Sequence, residues 1–192
     1  MPAHEISGVD VNAIPVSEGF VIDANILFFL HSGFYTSASG KARQISEYSS
    51  FISKLLLRGN RLVVPTTVLQ EFLHGFERKS YRLYLSANGL SADRRSGSFF
   101  SLKQYRAIAS ERSALQVNID RALYEVVAQY DYTECRLRLN DIDGMVGSLS
   151  GHRDAARDFL TVAECKREGL LNYISDDSDF LQDTSIHVYY AT

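Results

Sequence analysis

Cysteine, proline and long apolar runs are all scarce in this sequence, and each shortage excludes a class of protein. The two cysteines, Cys135 and Cys165, form no CxxC pair and no His/Cys cluster. That argues against a disulfide scaffold and a thiolate zinc site, and it fits two free thiols in a reducing compartment, with Cys165 expected to pack in the core. Three prolines in 192 residues argue against long disordered linkers. No stretch approaches the roughly 20 apolar residues of a membrane helix. The longest candidate, residues 20–30, is interrupted by Asp23 and Asn25. The opening MPAHEISGVDVNAIPVSEG has no basic start followed by an apolar stretch, so no signal peptide is read and a cytoplasmic location is expected. A net charge of −3 excludes a uniformly basic nucleic-acid binder. Gly-rich phosphate loops and a GxSxG element are also missing, which removes the P-loop and serine-hydrolase readings.

The remaining composition, 45% hydrophobic and 22% charged, is that of an ordinary globular chain long enough for one domain with an elaboration. Residues 1–18 read as an irregular arm. Phe20-Val21-Ile22, Leu62-Val63-Val64 and residues 170–174 are short apolar runs typical of buried parallel strands, and residues 186–190 form a last one. Between them lie helical periodicities. Residues 25–33 turn away from the first strand, and residues 40–57 carry Ile45, Tyr48, Phe51, Ile52, Leu55 and Leu56 on one face, closed by Gly59 as a C-cap. Residues 68–85 follow Pro65 and a capping Thr66 or Thr67, and residues 102–130 and 152–167 are further helices, the last ended by Gly169. The Ser-, Gly- and Asn-rich residues 86–100 read as a loop, and residues 133–151 are ambiguous. Strands alternating with helices predict a three-layer α/β/α sandwich with a central, mainly parallel sheet.

The acids fall at particular places in that scheme. Ligands of an open parallel sheet bind outside the C-terminal ends of its strands. Asp23 ends the first strand, Asp177 and Asp179 follow the third, Glu71 lies near the start of the helix leaving the second, and Asp158 near the start of the helix returning to the third. Taken singly, each has a bland explanation: a helix cap, a solvated helix residue, a charge favoured at a helix N-terminus, a turn. Taken together they place like charges at one sheet edge. That arrangement is tolerable when a divalent cation shares them, and oxygen ligands suit Mg²⁺ or Mn²⁺. Such a site can position a phosphodiester and activate water.

At these residues the chain resembles the PIN-domain nucleases, including the VapC-type toxins. VIDANIL (21–27) resembles the family's opening DxN motif, and VVPTTVLQEFLHG (63–75) its strand, proline and glutamate-bearing helix. DFLTVAECKREGLLNYIS (158–175) is similar to its third-acid helix, glycine and strand, and SDDSDF (175–180) to its TxDxDF ending with Ser in place of Thr. The likeness covers roughly half the chain. It implies a PIN-like domain over residues 1–192, with 19–75 and 152–192 as core and about 76–130 as a helical insertion. It implies a Mg²⁺- or Mn²⁺-dependent endoribonuclease in which Asp23, Glu71, Asp158 and Asp177 are the catalytic, metal-holding acids. Asp179 is an auxiliary metal acid, and Asn25 and Ser175 orient acids or phosphate by hydrogen bonds. Products with a 5′-phosphate and a 3′-hydroxyl are implied too, with RNA as substrate and an antitoxin protein or a second copy of the chain as partner. Asp176 is an alternative to Asp177. Asp154, one helical turn before Asp158 on the same face, is an alternative to it or an assistant.

Two other readings stand beside this one. A haloacid-dehalogenase-type phosphohydrolase acting on small phosphate esters also puts an Asp after the first strand, but it uses a DxD pair, which Asp23-Ala24-Asn25 lacks. A catalytically silent PIN-like module would bind RNA or protein through the basic middle of the chain. From residue 77 to 121 nine basic residues outnumber four acidic ones by five. Arg78, Lys79, Arg82, Arg94, Arg95, Lys103, Arg106 and Arg112 are interleaved there with Tyr81, Tyr84, Phe99, Phe100 and Tyr105. Phosphates attract such charge and unpaired bases stack on such rings, so the segment is a candidate RNA platform. A solvated helical face with its aromatics in the core, or a contact for an acidic partner, explains it equally in kind. His31, His74, His152 and His187 show no paired ligand spacing, and structural or exposed roles are expected of them.

Overall fold

A computed structural model describes residues 3–35, 40–134, 155–183 and 185–192, without the side chains of residues 155–158 and 182. Among the described residues the strands are β1 (Ala3–Glu5), β2 (Gly19–Ile22), β3 (Arg61–Pro65), β4 (Asp131–Thr133), β5 (Asn172–Ile174) and β6 (His187–Tyr190). The helices are α1 (Ala24–His31), α2 (Ala42–Arg58), α3 (Thr66–Ala87), α4 (Leu102–Arg106), α5 (Ala109–Gln129) and α6 (Ala155–Arg167). The strands form one sheet in the order β1-β6-β5-β2-β3-β4, and every neighbouring pair is parallel.

Two-residue periodicity divides the sheet between two cores. Phe20, Ile22, Leu62, Val64, Ile174 and Tyr189 face one core, shared with Leu27 of α1, Leu55 of α2, Phe72 of α3 and Val126 of α5. Val21, Val63, Tyr173 and Val188 face the other, shared with Val162 and Cys165 of α6. Both faces are covered, which is why the central strands read as unbroken apolar runs rather than as alternating ones. The result is the α/β/α sandwich that the alternating pattern predicts, with a fully parallel sheet.

Several local expectations need correction. The N-terminal arm is not irregular throughout: its residues 3–5 add β1 to the sheet beside β6. The rest of the arm is tied down by Asn60 Nδ2, which donates to the carbonyls of Pro15 (2.9 Å) and Glu18 (3.2 Å). Strand β4 adds the opposite edge. The helix after β3 begins at Thr66 with Pro65, not a threonine, in the cap position. Residues 102–130 are two helices, α4 and α5, separated at Ala107 and Ile108. Gly59 does close α2, at φ 85°. The ambiguous residues 135–151, with Cys135, as well as His152 and the alternative acid Asp154, lie outside the described residues. No helix among the described residues is long and apolar enough to cross a membrane.

Candidate active site at the sheet switch point

Strand order reverses between β2 and β5: the chain builds β3 and β4 on one side of β2, then returns to lay β5 and β6 on the other. At such a junction the two departing loops diverge and leave a crevice at the carboxyl ends of the strands. Ile22 pairs with Ile174 in register, so Asp23 and Ser175 leave the sheet side by side. The Asp23 N–H donates to the Ile174 carbonyl at 3.1 Å, extending the ladder by one rung.

Asp23 is the cap of α1, its Oδ1 accepting the Ala24 N–H at 2.7 Å. The bland reading of this residue is therefore true of one of its two oxygens. The other, Oδ2, accepts the Ser175 hydroxyl at 2.6 Å. Ser175 Oγ in turn accepts the Asp177 N–H at 3.0 Å, and Asp177 Oδ1 accepts the Asp179 N–H at 2.9 Å. One chain of hydrogen bonds thus runs from the end of β2 through Ser175 to Asp177 and Asp179. Asp23 is 8% exposed and Ser175 fully buried, whereas Asp177 and Asp179 are half-buried. Asn25 also belongs to this group, its Oδ1 accepting the Asp176 N–H at 3.4 Å.

Asp176 turns to a different set of partners. Its carboxylate faces α2, where Lys41 Nζ (3.3 Å), Gln44 Nε2 (3.4 Å) and the Tyr48 hydroxyl (3.3 Å) converge on it. Tyr48 also accepts the Ala191 N–H at 2.9 Å, so a single buried hydroxyl joins the acid loop to the end of β6. Burial pushes the Tyr48 pKa up, helped by the Asp176 charge, and the hydroxyl stays a neutral donor.

Glu71 is exposed on α3, one turn beyond Thr67, and lines an open cavity together with Asn25. The cavity brings Glu71 to the same side of the molecule as Asn25, the neighbour of the α1 cap. Asp158 falls in the first turn of α6, its side chain outside the description. The helix carrying it is fixed to α3 one turn later, where Thr161 and Thr67 share a hydrogen bond of 2.7 Å. Among the described residues no three His, Cys, Asp or Glu side chains are arranged to share a metal ion. The donor chemistry is nonetheless of one kind: Asp23, Asp177 and Asp179 are hard carboxylate oxygens, which suit Mg²⁺ or Mn²⁺ rather than a thiol-seeking metal.

The basic segment is only partly engaged by the fold. Arg106 makes a two-pronged ion pair with Glu77, with both N···O distances 2.5 Å, joining α4 to α3, and it holds the Glu77 carboxyl below its ordinary pKa. Tyr105 is buried, and its ring packs on Tyr81 and Tyr84, while Tyr84 also meets Phe100. Phe99 is left exposed. Arg82, Arg94, Arg95, Lys103 and Arg112 are exposed as well. Arg78 lines the cavity beside Glu71, and Lys79 sits 5.6 Å from the centre of the Tyr35 ring.

Of the histidines, His31 is buried, with its ring nitrogens 3.2 Å from Glu125 Oε2 and 3.0 Å from the Tyr130 hydroxyl. This is a structural role. His187 is half-buried, 3.4 Å from His4 across β1 and β6. His74 is exposed at the cavity rim. Sequence reasoning missed the Lys41–Gln44–Tyr48 clamp and the aromatic wall of the cavity. Only the helical spacing of 41, 44 and 48 hinted at a shared face. The chain matches no protein-family model and no curated protein.

Proposed function

We propose that the chain is a metal-dependent endoribonuclease of the PIN type, hydrolysing RNA phosphodiester bonds at the β2/β5 crevice. One observation carries the reading. The buried Ser175 hydroxyl couples Asp23, at the end of β2, to Asp177, after β5, at the point where strand order reverses. Through that hydroxyl the Asp23 carboxylate and the backbone of Asp177 are held against one another at a single sheet edge, which brings the two acids to the same end of the sheet. Asp23, Glu71, Asp158 and Asp177 hold the ion in this reading, Asp179 assists, and Asn25 and Ser175 orient the acids. The capture of Asp176 by α2 favours Asp177 as the ligand. A bound Mg²⁺ or Mn²⁺ supplies positive charge for the phosphoryl oxygens and lowers the pKa of water. The fixed rotamers of Asp23 and Ser175 keep the ligand oxygens from rearranging as charge develops. An antitoxin protein and a second copy of the chain are the protein partners that go with this proposal.

The test is digestion of total RNA and tRNA with Mg²⁺, Mn²⁺ or EDTA, with mapping of fragment ends. Cleavage that needs the metal and leaves 5′-phosphates is expected. Asp23→Asn should lower it by more than about 100-fold, beyond the loss typical of a residue that only orients a ligand. Full metal-dependent activity in that variant overturns the assignment.

A second reading, a PIN-like module that binds RNA without cutting it, is favoured by a separate observation: Arg82, Arg94, Arg95, Lys103 and Arg112 of the basic segment are exposed. Calorimetry with Mn²⁺ separates the two. Binding that Asp23→Asn abolishes supports the nuclease, and no binding supports the silent module.

A further inference from the structure

Between α1 and α3, next to the acid crevice, lies an open cavity of about 220 Å³. Its walls are rings: Phe28 and Phe29 from α1 and Tyr35 just beyond it. Its rim is polar, with Asn25 at one end and Glu71, His74 and Arg78 along α3. Spacings of three and four residues put 71, 74 or 75, and 78 on one helix face. The middle of that face is empty because residue 75 is glycine. A Cβ there would meet the Phe28 ring at 3.2 and 3.3 Å. Glycine in a helix interior costs about 1 kcal/mol relative to alanine, and here it lets the Phe28 ring lie against the α3 backbone and form the cavity floor.

Charge completes the arrangement. Lys41 Nζ is 5.5 Å from the centre of the Phe29 ring and Lys79 Nζ 5.6 Å from that of Tyr35, and Arg78 reaches the rim. Aromatic walls, the Asn25 amide able to pair with a planar polar edge, and the Arg78 and Lys79 cations beside them match one ligand chemistry: a purine or pyrimidine ring carrying a phosphate. Size agrees. Sites for drug-sized ligands run roughly 300–1,000 Å³, and this smaller cavity suits a single ring system.

We propose that this cavity is a subsite for one unpaired nucleobase, with the attached phosphate lying towards Arg78 and Lys79. Its link to cleavage rests on the ribonuclease reading: Asn25 lines the cavity and also bonds the acid loop, so a base held here puts its neighbouring phosphodiester at the crevice. The stacking itself does not depend on that reading.

The experiment is calorimetric titration of the full chain, in EDTA, with AMP, GMP, CMP and UMP, and with ribose 5-phosphate as the baseless control. Nucleotide binding at least about 10-fold tighter than ribose 5-phosphate is expected, since stacking of one base accounts for about that ratio. Tyr35→Ala should weaken nucleotide binding by about 5-fold or more with an unchanged melting temperature, and Tyr35→Phe should retain it. Equal binding of ribose 5-phosphate, or no nucleotide binding at millimolar concentration, overturns the subsite. Nucleotide binding in EDTA without RNA cleavage in Mg²⁺ or Mn²⁺ leaves the subsite standing and sinks the nuclease. Cleavage without nucleotide binding does the reverse.

Discussion

The Ser175 hydroxyl donates to Asp23 Oδ2 and accepts from the Asp177 N–H at a position closed to solvent. Removing it leaves a carboxylate oxygen without its donor and a backbone N–H without its acceptor. A hydrogen bond to a charged group is worth about 1.5–3 kcal/mol. Ser175→Ala is therefore expected to lower the urea midpoint by the equivalent of about 2 kcal/mol with an unchanged slope. RNA cleavage should fall by roughly 10- to 100-fold, as for other residues that orient a ligand. A variant as stable as the parent would show that the hydroxyl couples nothing. The sequence made Asp23, Asp177 and Asp179 legible because carboxylates at strand ends are unusual enough to notice. It did not reveal that Asp176 is captured by Lys41, Gln44 and Tyr48. Those partners lie more than 120 residues away in the chain, and nothing local distinguishes two adjacent aspartates.

At the scale of elements, α2, α3 and the central strands followed from periodicity because each buries a run of apolar positions in the core. Gly59 stopped α2 where expected, since its φ of 85° is one that only glycine adopts freely. Gly59→Ala is expected to cost about 1 kcal/mol, read as a lower urea midpoint, with Ala in place of the exposed Ser49 of α2 as a control that should be neutral or slightly stabilising. Equal effects from the two would remove the cap as the reason for glycine. The edge strands escaped notice for an opposite reason. β1 (AHE) and β4 (DYT) are three residues long and largely exposed. Neither carries an apolar pattern, and each becomes a strand only because β6 or β3 offers it a ladder. The split between α4 and α5 was likewise hidden, because the apolar periodicity resumes after two residues.

For the whole molecule, two histidines make stability depend on pH. Burial pushes the His31 pKa below its ordinary 6.5, outweighing the opposing hydrogen bond and charge of Glu125. His4 is lowered too, by burial and then by His187. A depressed folded pKa means that the unfolded chain takes up the proton first. This contribution is therefore intact above about pH 6.5 and is lost as pH falls from there through the folded values. The urea midpoint should drop between pH 7 and pH 5.5, and His31→Gln should flatten that drop. An unchanged slope in the variant would place the acid sensitivity elsewhere.

By itself the sequence determined the layered parallel architecture, because helical and strand periods leave a burial record in each segment, and it determined which acids sit at strand ends. Tertiary structure alone decided which neighbour each acid binds, that α1 and α3 enclose an aromatic cavity around Gly75, and that two short polar segments become strands. These depend on contacts between residues far apart in the chain, and such contacts leave no periodic trace in any one segment.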